Sequence, residues 1–398
     1  MRIGVYFGDF NPDVGGAYTF VADILDAVLD AAGGTSHHFT LFCTSRVAEL
    51  LRLRPLPKNL NVTVIGSISR SDKVVSRLKY LSPMMRFILR RPGRLERLAH
   101  GERIEVIWFV GVGVYESTDI PYIATIWDLQ HRLQPFFPEL SSNGLWDKRE
   151  LVLGYFLRRA ALCITGTDAG KKEIEKFYQL PGRSIEVIPL PTPRFALGRA
   201  SSKADRQAPF GLNGKFIVYP AQFWPHKNHV NLLLALKKLR DNHGMKISLV
   251  LPGSDKGNLA FVKRQATDLG LDGQVLFPGF VSSEELIELY ETAEALVFPS
   301  YFGPDNIPPL EAFGLSCPVI AANVDGAKEQ YGDAAILVDP SRPEEIAEAI
   351  NAVLSSAELR DSLVSRGLER ASRWSAVQYF RTMLEVFDRF SAIRRNWP

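Results

Sequence analysis

The sequence has little cysteine and almost no excess of one charge. Its 398 residues include three cysteines (Cys43, Cys163 and Cys317), and none of them belongs to a C-x-x-C pair. This scarcity argues against a disulfide framework or a zinc site and is typical of proteins from a reducing compartment. Lysine and arginine number 47 against 44 acidic residues, which leaves a net charge of +3. So balanced a charge does not indicate binding to nucleic acid.

The sequence also lacks a hydrophobic run that could cross a membrane. Its most apolar stretch, residues 106–114, is far shorter than a spanning helix, which needs about 20 residues. The opening residues, MRIGVYFGDFNP, contain no apolar region that ends in small residues, so we expect no cleaved signal peptide. Because a domain usually contains about 100–200 residues, we expect two packed domains. Together with the scarcity of cysteine, the lack of a spanning helix and of a signal peptide leads us to expect a cytoplasmic protein.

Short runs rich in valine and isoleucine alternate with helical patterns along the chain. In the first half these runs lie at 3–8, 38–43, 62–65, 106–110, 123–127, 162–165 and 185–188. In the second half they lie at 216–219, 247–251, 275–277, 295–298, 319–321 and 336–338. Buried parallel strands separated by helices have this pattern. It predicts two doubly wound α/β domains facing each other across a cleft, residues 1–192 and 210–373, joined by a Pro- and Ser-rich linker at 193–209.

Ligands of doubly wound domains bind beyond the carboxyl ends of the strands, so loops that follow predicted strands are candidate sites. The first such loop, NPDVGG at 11–16, places Gly15 and Gly16 at the start of a helix, where backbone amides favour an anion. A tight turn between strand and helix is the alternative. The loop has no G-x-G-x-x-G pattern, which argues against a dehydrogenase that binds NAD.

The second loop, YPAQFWPHKN at 219–228, follows the first strand of the second domain. Lys227 could meet a phosphate there as a point charge. The alternative is a solvated lysine at a helix start. Because lysine opposes the helix dipole at that end, its presence favours the functional interpretation.

The third loop, FPSYFGPDNIPPLEAFG at 298–314, is rich in proline and glycine. The tandem prolines suit the first turn of a helix, and Asn306 is the predicted N-cap. Glu311 would then face the cleft, where a carboxylate can accept hydrogen bonds from both hydroxyls of a ribose. The alternative is a first-turn glutamate that only complements the helix dipole.

Together these loops resemble those of the GT4 family, the retaining group 1 glycosyltransferases of the GT-B fold. The resemblance covers the whole chain and also rests on QVLFPGFVSSEEL at 274–286 and CPVIAANVDGAKEQYGDAAILVDP at 317–340. It implies two Rossmann-like domains, an N-terminal one for the acceptor and a C-terminal one for the donor. It further implies that a C-terminal helix, at about 374–398, crosses back to the first domain.

The resemblance implies roles for individual residues. Glu311 would bind the donor ribose, Lys227 the diphosphate, and backbone amides near Ile307 and Leu310 would complete the pyrophosphate site. The full implied donor-binding set is Glu311, Gly15, Gly16, Gln222, Asn306, Ile307, Leu310 and Phe280. Asp128 and His131 follow a predicted strand of the first domain and, with Lys227, are the candidate catalytic residues, in contact with the acceptor or donor sugar. A helix cap and a core or surface imidazole are the alternatives for those two.

Three positions depart from the family pattern. The family has an E-x7-E motif, whose second glutamate is Glu311 in this chain. Its first glutamate would fall at position 303, where this chain has Gly303. A basic residue that usually precedes the turn lysine is replaced by Gln222, and a histidine that often precedes Asp128 is replaced by Trp127. These departures bear on the contacts with the donor sugar.

The implied reaction transfers a hexosyl group, of the mannosyl type, from a nucleotide diphosphate sugar to a hydroxyl of a sugar or lipid-linked acceptor, with retention, in surface polysaccharide or glycolipid assembly. Same-face attack needs no protein nucleophile, and no D-x-D sequence follows a strand, so we expect neither a metal nor a cofactor besides the donor. A non-catalytic relative that binds a nucleotide sugar and a nucleotide-sugar epimerase of the same fold are the alternatives.

Residues 70–103 carry ten lysines or arginines against three acidic residues, interleaved with leucine, methionine and phenylalanine. A basic amphipathic helix of this kind can lie on an anionic membrane, which would make the protein peripheral to its inner face. The alternative is a pair of surface helices, separated at Pro83, whose arginines are solvated.

Overall fold

A computed structural model describes residues 1–8, 16–66, 74, 78, 85, 88, 92–111, 118–198, 209–212, 214–303 and 305–396. Gly15 and most of the basic stretch at 70–103 lie outside the described residues. The chain divides into two units. The first contains residues 1–135, 141–190 and 376–398, and the second contains residues 136–140 and 191–375.

The first half of the chain supplies a parallel sheet and seven of the described helices. Its strands are β1 (Arg2–Gly8), β2 (His38–Cys43), β3 (Leu60–Val64), β4 (Val106–Phe109), β5 (Tyr122–Thr125), β6 (Leu162–Thr165) and β7 (Ile185–Val187). Its helices are α1 (Gly16–Ala31), α2 (Ser45–Arg52), α3 (Arg94–Gly101), α4 (Gln130–Leu133), α5 (Pro138–Ser141), α6 (Leu145–Arg159) and α7 (Asp168–Tyr178). The strands pair in parallel in the order β3-β2-β1-β4-β5-β6-β7.

The second half supplies another parallel sheet, in the second unit. Its strands are β8 (Phe216–Val218), β9 (Ser248–Pro252), β10 (Val275–Gly279), β11 (Ala295–Phe298), β12 (Val319–Ala322) and β13 (Ala335–Val338). The helices are α8 (His229–His243), α9 (Leu259–Asp268), α10 (Ser283–Thr292), α11 (Pro308–Gly314), α12 (Ala327–Tyr331), α13 (Pro343–Ser355), α14 (Ala357–Arg373) and α15 (Ala376–Arg394). The strand order is β10-β9-β8-β11-β12-β13.

The strands follow from the apolar runs of the sequence. Every residue of β4, β5, β6, β11 and β12 is buried, as expected for parallel strands covered by helices on both faces. Each predicted strand is present, with bounds that differ by at most a few residues. The predicted fold class is therefore confirmed: each unit is a doubly wound α/β domain.

Helix α15 belongs to the first unit, although the residues directly before it belong to the second. Its aromatic side chains pack on that unit's core: the ring centroids of Tyr379 and Phe20 lie 5.5 Å apart, and the ring of Phe380 is nearly parallel to that of Trp108, at 6.5 Å. The predicted return of the C-terminal helix to the first domain is confirmed.

Among the described residues, no helix is both long enough and apolar enough to span a bilayer.

Each strand order reverses direction once, between β1 and β4 in the first sheet and between β8 and β11 in the second. Doubly wound sheets bind their ligands outside the carboxyl ends of the strands at this switch point. In the second unit, the loops that follow β8 and β11 are the stretches that contain Lys227 and Glu311. The topology therefore brings the two most informative sequence motifs to the same edge of one sheet.

Candidate functional site

The loop after β8 ends in a single 3-10 turn, Pro225–Lys227, which leads directly into α8. Asn228 joins the turn to the helix with a φ of 60°, a left-handed conformation that asparagine adopts more readily than most residues. Its buried side-chain amide donates to the carbonyl oxygens of Pro299, at 2.9 Å, and Pro340, at 2.7 Å. The turn is thereby anchored to the loops that follow β11 and β13.

Lys227 is half-buried at the end of this turn. Its carbonyl oxygen accepts a hydrogen bond of 2.8 Å from the hydroxyl of Tyr219, and its backbone N–H donates to the carbonyl oxygen of Trp224 at 3.1 Å. The ammonium Nζ lies 5.4 Å from the ring centroid of Phe298, the last residue of β11, within the range of a cation–π contact. The lysine charge is therefore held at the switch point of the second sheet.

His226, which precedes Lys227 in the turn, has a partner that the sequence does not indicate. A single carboxylate oxygen of Glu139, Oε1, accepts from the backbone N–H of His226 at 3.0 Å and from its ring Nδ1 at 2.5 Å. The side chain of His226 is only 10% exposed, and that of Glu139 only 6%. Burial alone would raise the pKa of Glu139, but the hydrogen bonds from His226 hold it below its usual range. The carboxylate is therefore ionised at neutral pH.

Glu311 lies in the first turn of α11 and is buried, with 5% of its surface exposed. Its oxygen Oε2 accepts a hydrogen bond of 2.7 Å from the hydroxyl of Tyr290, on α10. Burial and the adjacent carboxylate raise the pKa of Tyr290 well above its usual value, so the phenol stays protonated and remains a donor. Tyr290 fixes the orientation of Glu311, and the sequence did not predict this role.

The residues before Glu311 differ in detail from the prediction. The N-cap of α11 is Ile307, not Asn306, because the amide of Asn306 donates backwards to the carbonyl oxygen of Phe302 at 2.9 Å. The backbone N–H and C=O of Asn306 bond to the side chain of Gln330, at 3.1 and 2.9 Å. The backbone N–H of Leu310 donates to the carbonyl oxygen of Ile307 at 2.8 Å, within the helix. A phosphate contact by Ile307 or Leu310 stays a prediction.

The other predicted donor-binding residues occupy several places. The carbonyl oxygen of the Gln222 side chain accepts from the indole N–H of Trp224 at 3.0 Å, next to the lysine turn. Phe280 directly follows β10 and is 66% exposed, an unusual exposure for so large an apolar side chain. Gly16 is the first residue of α1, in the first unit. Contact with the donor stays a prediction for each of them.

The glycine that replaces the first motif glutamate is tightly enclosed. A Cβ atom at Gly303 would lie 2.5 Å from Cγ2 of Val324 and 3.2 Å from the carbonyl oxygen of Asp325. Real Cβ atoms essentially never approach another heavy atom that closely. The loop after β11 therefore runs against the loop after β12, and the side chain of Val324 occupies the space that a Cβ at position 303 would need.

Asp128 and His131 belong to a polar network of the first unit. Asp128 accepts from the backbone N–H of Gln130, at 3.0 Å, and pairs with Arg149 at 3.1 Å, while its own side chain is 37% exposed. His131 is fully buried, and its Nε2 lies 2.7 Å from Glu150. Burial lowers the pKa of His131. An enclosed imidazole cannot touch a substrate in this conformation, so the placement supports the alternative, a core histidine, whereas Asp128 stays a candidate.

Neither a metal centre nor a reactive thiol is indicated where the chain is described. Within the described ranges, no three His, Cys, Asp or Glu residues are grouped closely enough to hold a metal ion. The three cysteines are buried free thiols. Burial raises the pKa of Cys163 to about 12, so this thiol is protonated at neutral pH.

The chain is similar to known glycosyltransferases in sequence. Residues 201–370 match the family model described as glycosyl transferases group 1. The chain is also similar to O-antigen chain mannosyltransferase B of Escherichia coli, with 28% identity over 355 residues, which cover 85% of this chain and 91% of the relative.

Solved structures agree in fold. HepE of Anabaena in complex with UDP and glucose superposes with a TM-score of 0.68 and 19% identity, over 98% of this chain and 99% of that one. Sucrose-phosphate synthase of Thermosynechococcus elongatus has a TM-score of 0.71 and 17% identity, over 99% and 100% of the two chains. The fold is that of the GT-B glycosyltransferases. In sequence, the match to the group 1 glycosyl transferases covers residues 201–370, in the second half of the chain.

Proposed function

We propose that this protein is a retaining transferase that moves a hexosyl group of the mannosyl type from a nucleotide diphosphate sugar to an acceptor hydroxyl. The observation that carries the proposal is the placement of Lys227 and Glu311 after β8 and β11, which flank the switch point of one sheet. The similarity to an O-antigen mannosyltransferase supports the mannosyl type and a role in surface polysaccharide or glycolipid assembly. The complex of HepE with UDP and glucose supports a nucleotide-sugar donor.

The reaction separates charge, and the site has groups suited to it. As the glycosidic bond breaks, the diphosphate gains negative charge while the sugar becomes oxocarbenium-like. A fixed ammonium such as that of Lys227 stabilises the developing charge without having to reorganise. Glu311, held by Tyr290, would accept hydrogen bonds from the ribose hydroxyls and so orient the donor. The leaving phosphate would take the proton of the acceptor, so the proposed reaction uses neither a metal ion nor a protein nucleophile.

Ligand binding and initial rates test this proposal together. The melting temperature is measured with GDP, UDP, dTDP, ADP and NAD, because saturation at 100 times the dissociation constant stabilises a protein by about 2.7 kcal/mol. We expect one nucleoside diphosphate alone to raise it. With the matching donor sugar, Lys227→Ala should lower turnover at least tenfold, and Glu311→Ala should weaken donor binding. Lys237→Ala, which removes one of the two cations that pair with Asp241 on α8, is the matched control and should change neither.

The other outcomes identify the alternatives. Tight nucleotide binding without turnover would favour a non-catalytic relative, and product formation without an acceptor would favour an epimerase or a hydrolase. Rates that stay unchanged in both Lys227→Ala and Glu311→Ala would refute the site. Activity that disappears with EDTA and returns with a divalent ion would refute metal independence.

We also propose that the protein acts in the cytoplasm with its first unit against an anionic membrane, where a lipid-linked acceptor would lie. The predicted stretch at 70–103 is largely outside the described residues, but a second surface supports the proposal. Leu50, Leu53 and Leu56 are 62%, 87% and 39% exposed around the end of α2. Exposed cations are interleaved with them: Arg46, Arg52 and Lys58, together with Arg54, which pairs with Asp26. Apolar groups would enter the interface while each cation near the surface adds about 1 kcal/mol.

Sedimentation with lipid vesicles tests this contact. Vesicles that contain phosphatidylglycerol should retain the protein more strongly than pure phosphatidylcholine vesicles, and added salt should weaken the retention. Leu53→Ser should reduce it, whereas Leu368→Ser, a change of a 39% exposed leucine on α14, should not. Equal retention by both kinds of vesicle, or none, would contradict the proposed contact.

A further inference from the structure

The short segment 136–140 belongs to the second unit, although the chain on both sides of it belongs to the first. The segment contributes Phe137 and Glu139 to the surroundings of the lysine turn. Glu139 is the acceptor for both the backbone N–H and the ring of His226, 87 residues further along the chain. This segment therefore bonds directly to the residue that precedes Lys227.

The Glu139–His226 pair is enclosed by aromatic rings. The imidazole of His226 stacks on Phe302, with ring centroids 3.7 Å apart and planes inclined by 6°. Phe137 packs edge-on against Phe302, at 5.3 Å between centroids, and lies 6.2 Å from the ring of His226. The backbone N–H of Tyr301 donates to the carbonyl oxygen of His226 at 3.0 Å. A hydrogen-bonded pair that is packed in this way has one geometry, unlike a solvated pair at the surface.

His226 and Lys227 are neighbours in the same 3-10 turn, so the position of one backbone sets the position of the other. Of the other anchors of the turn, Tyr301 holds the carbonyl oxygen of His226. The rest act on Lys227 and Asn228, through Tyr219, Pro299 and Pro340. The backbone N–H of His226 is held by Glu139. Loss of the carboxylate would leave a buried N–H without its acceptor, and the turn would shift to find another.

We propose that Glu139 is a positioning residue for Lys227: through His226, it sets where the lysine ammonium meets the donor diphosphate. The inference rests on the proposed function, since it requires that Lys227 binds the diphosphate. Stabilisation of a developing charge depends on a preset geometry, and a misplacement of about 1 Å can lower a rate by about a hundredfold. Glu139 would therefore affect transfer without contacting either substrate.

A double-mutant cycle tests the proposal. The rate constant kcat/KM for the donor and the dissociation constant of the cognate nucleoside diphosphate are measured for Glu139→Ala, Lys227→Ala and the double variant. Glu139→Ala should lower kcat/KM at least tenfold and leave KM for the acceptor unchanged. If Glu139 acts through the lysine, the double variant should lose no more activity than Lys227→Ala alone. Losses that multiply would overturn the proposal.

Two further variants separate positioning from general damage. Glu139→Gln keeps an acceptor for the backbone N–H of His226, so it should restore at least part of the activity lost in Glu139→Ala, and it can be assayed if the alanine variant does not fold. No recovery relative to the alanine variant, or a glutamine variant with less activity than a folded alanine variant, contradicts the mechanism. Glu348→Ala removes the carboxylate partner of His243, a pair at 2.8 Å on the outer helices of the same unit, and should leave kcat/KM within twofold.

The results also distinguish this inference from the function on which it rests. If Lys227→Ala leaves both nucleotide affinity and turnover unchanged, the proposed donor site fails and Glu139 has nothing to position. If Lys227→Ala loses activity while Glu139→Ala does not, the donor site stands and only the positioning role is refuted.

Discussion

A methyl group at position 303 should destabilise the second unit. The ideal Cβ of an alanine there would lie 2.5 Å from Cγ2 of Val324, whereas two carbon atoms in contact prefer about 3.5–4.0 Å. One of the two carbon atoms must therefore move by about 1 Å. The carbonyl oxygen of Asp325, 3.2 Å from the Cβ, limits the directions in which the Cβ can move. Overpacking of this kind costs about 1–3 kcal/mol. In a unit of this size, Gly303→Ala should lower the melting temperature by about 2–12 °C.

The control is another glycine in the same protein. Gly154 lies inside α6, and a Cβ there meets no atom within 4 Å. Gly154→Ala should therefore raise stability by about 0.5–1 kcal/mol, through the helix propensity of alanine. Truncation of the obstacle supplies a second check: Gly303→Ala combined with Val324→Ala should recover about 1 kcal/mol relative to the sum of the single changes.

Position 303 is also where the first glutamate of the E-x7-E motif would fall. Gly303→Glu should not increase turnover, because the loop after β12 already occupies the place where that side chain would begin. Scanning calorimetry and initial rates measure both quantities on the same preparations. A Gly303→Ala protein with the melting temperature of the wild type would refute the steric argument. So would a Gly303→Glu protein with wild-type stability and a higher turnover.

Three further changes probe single contacts of the second unit. Tyr290→Phe removes the donor to Glu311, and because a hydrogen bond to a charged group contributes about 1.5–3 kcal/mol, calorimetric titration should show nucleotide affinity at least tenfold weaker; unchanged affinity would contradict it. Burial and nearby cations lower the pKa of His229 from 6.5 to about 3. The unfolded chain therefore binds the extra proton, and the free energy of unfolding should fall by about 1.4 kcal/mol per pH unit below about pH 6. Urea unfolding at pH 7 and pH 5 should show a smaller loss for His229→Phe than for the wild type, and an equal loss would contradict this prediction. Phe280→Ala should leave the melting temperature within about 2 °C, because the ring is largely solvated, and should weaken donor binding in the same titration.

The parts of the fold that depend on local patterns could be predicted from the sequence. Apolar runs mark the buried strands, and the proline- and glycine-rich loops after them mark where helices begin. Lys227 and Glu311 could be singled out because each follows a strand end, and the strand order then brings their loops to one switch point. Continuous apolar runs and a helical period of 3.6 residues are enough for such inferences.

Contacts between distant side chains could not be predicted, because they leave no period in the sequence. Glu139 and His226 are 87 residues apart, and Tyr290 and Glu311 are 21 apart. His131 follows a strand as a substrate-contacting residue would, yet Glu150 holds it inside the core. Local signals can mislead as well: asparagine before a pair of prolines is a typical N-cap, but the amide of Asn306 turns back to Phe302.

The return of α15 to the first unit bears on the order in which a ribosome can complete this protein. The faces of Phe20, Phe39 and Trp108 are covered by aromatic residues of α15, so residues 1–190 alone would leave these rings without their cover. Residues 191–375 emerge before that helix exists and contain all but a few residues of their own unit. Domains of a growing chain generally fold from the N-terminal end. Here the second unit can form its native core before α15 has been synthesised. The first unit is synthesised earlier, but its apolar surface stays exposed, and can bind chaperones, until residues 376–394 cover it.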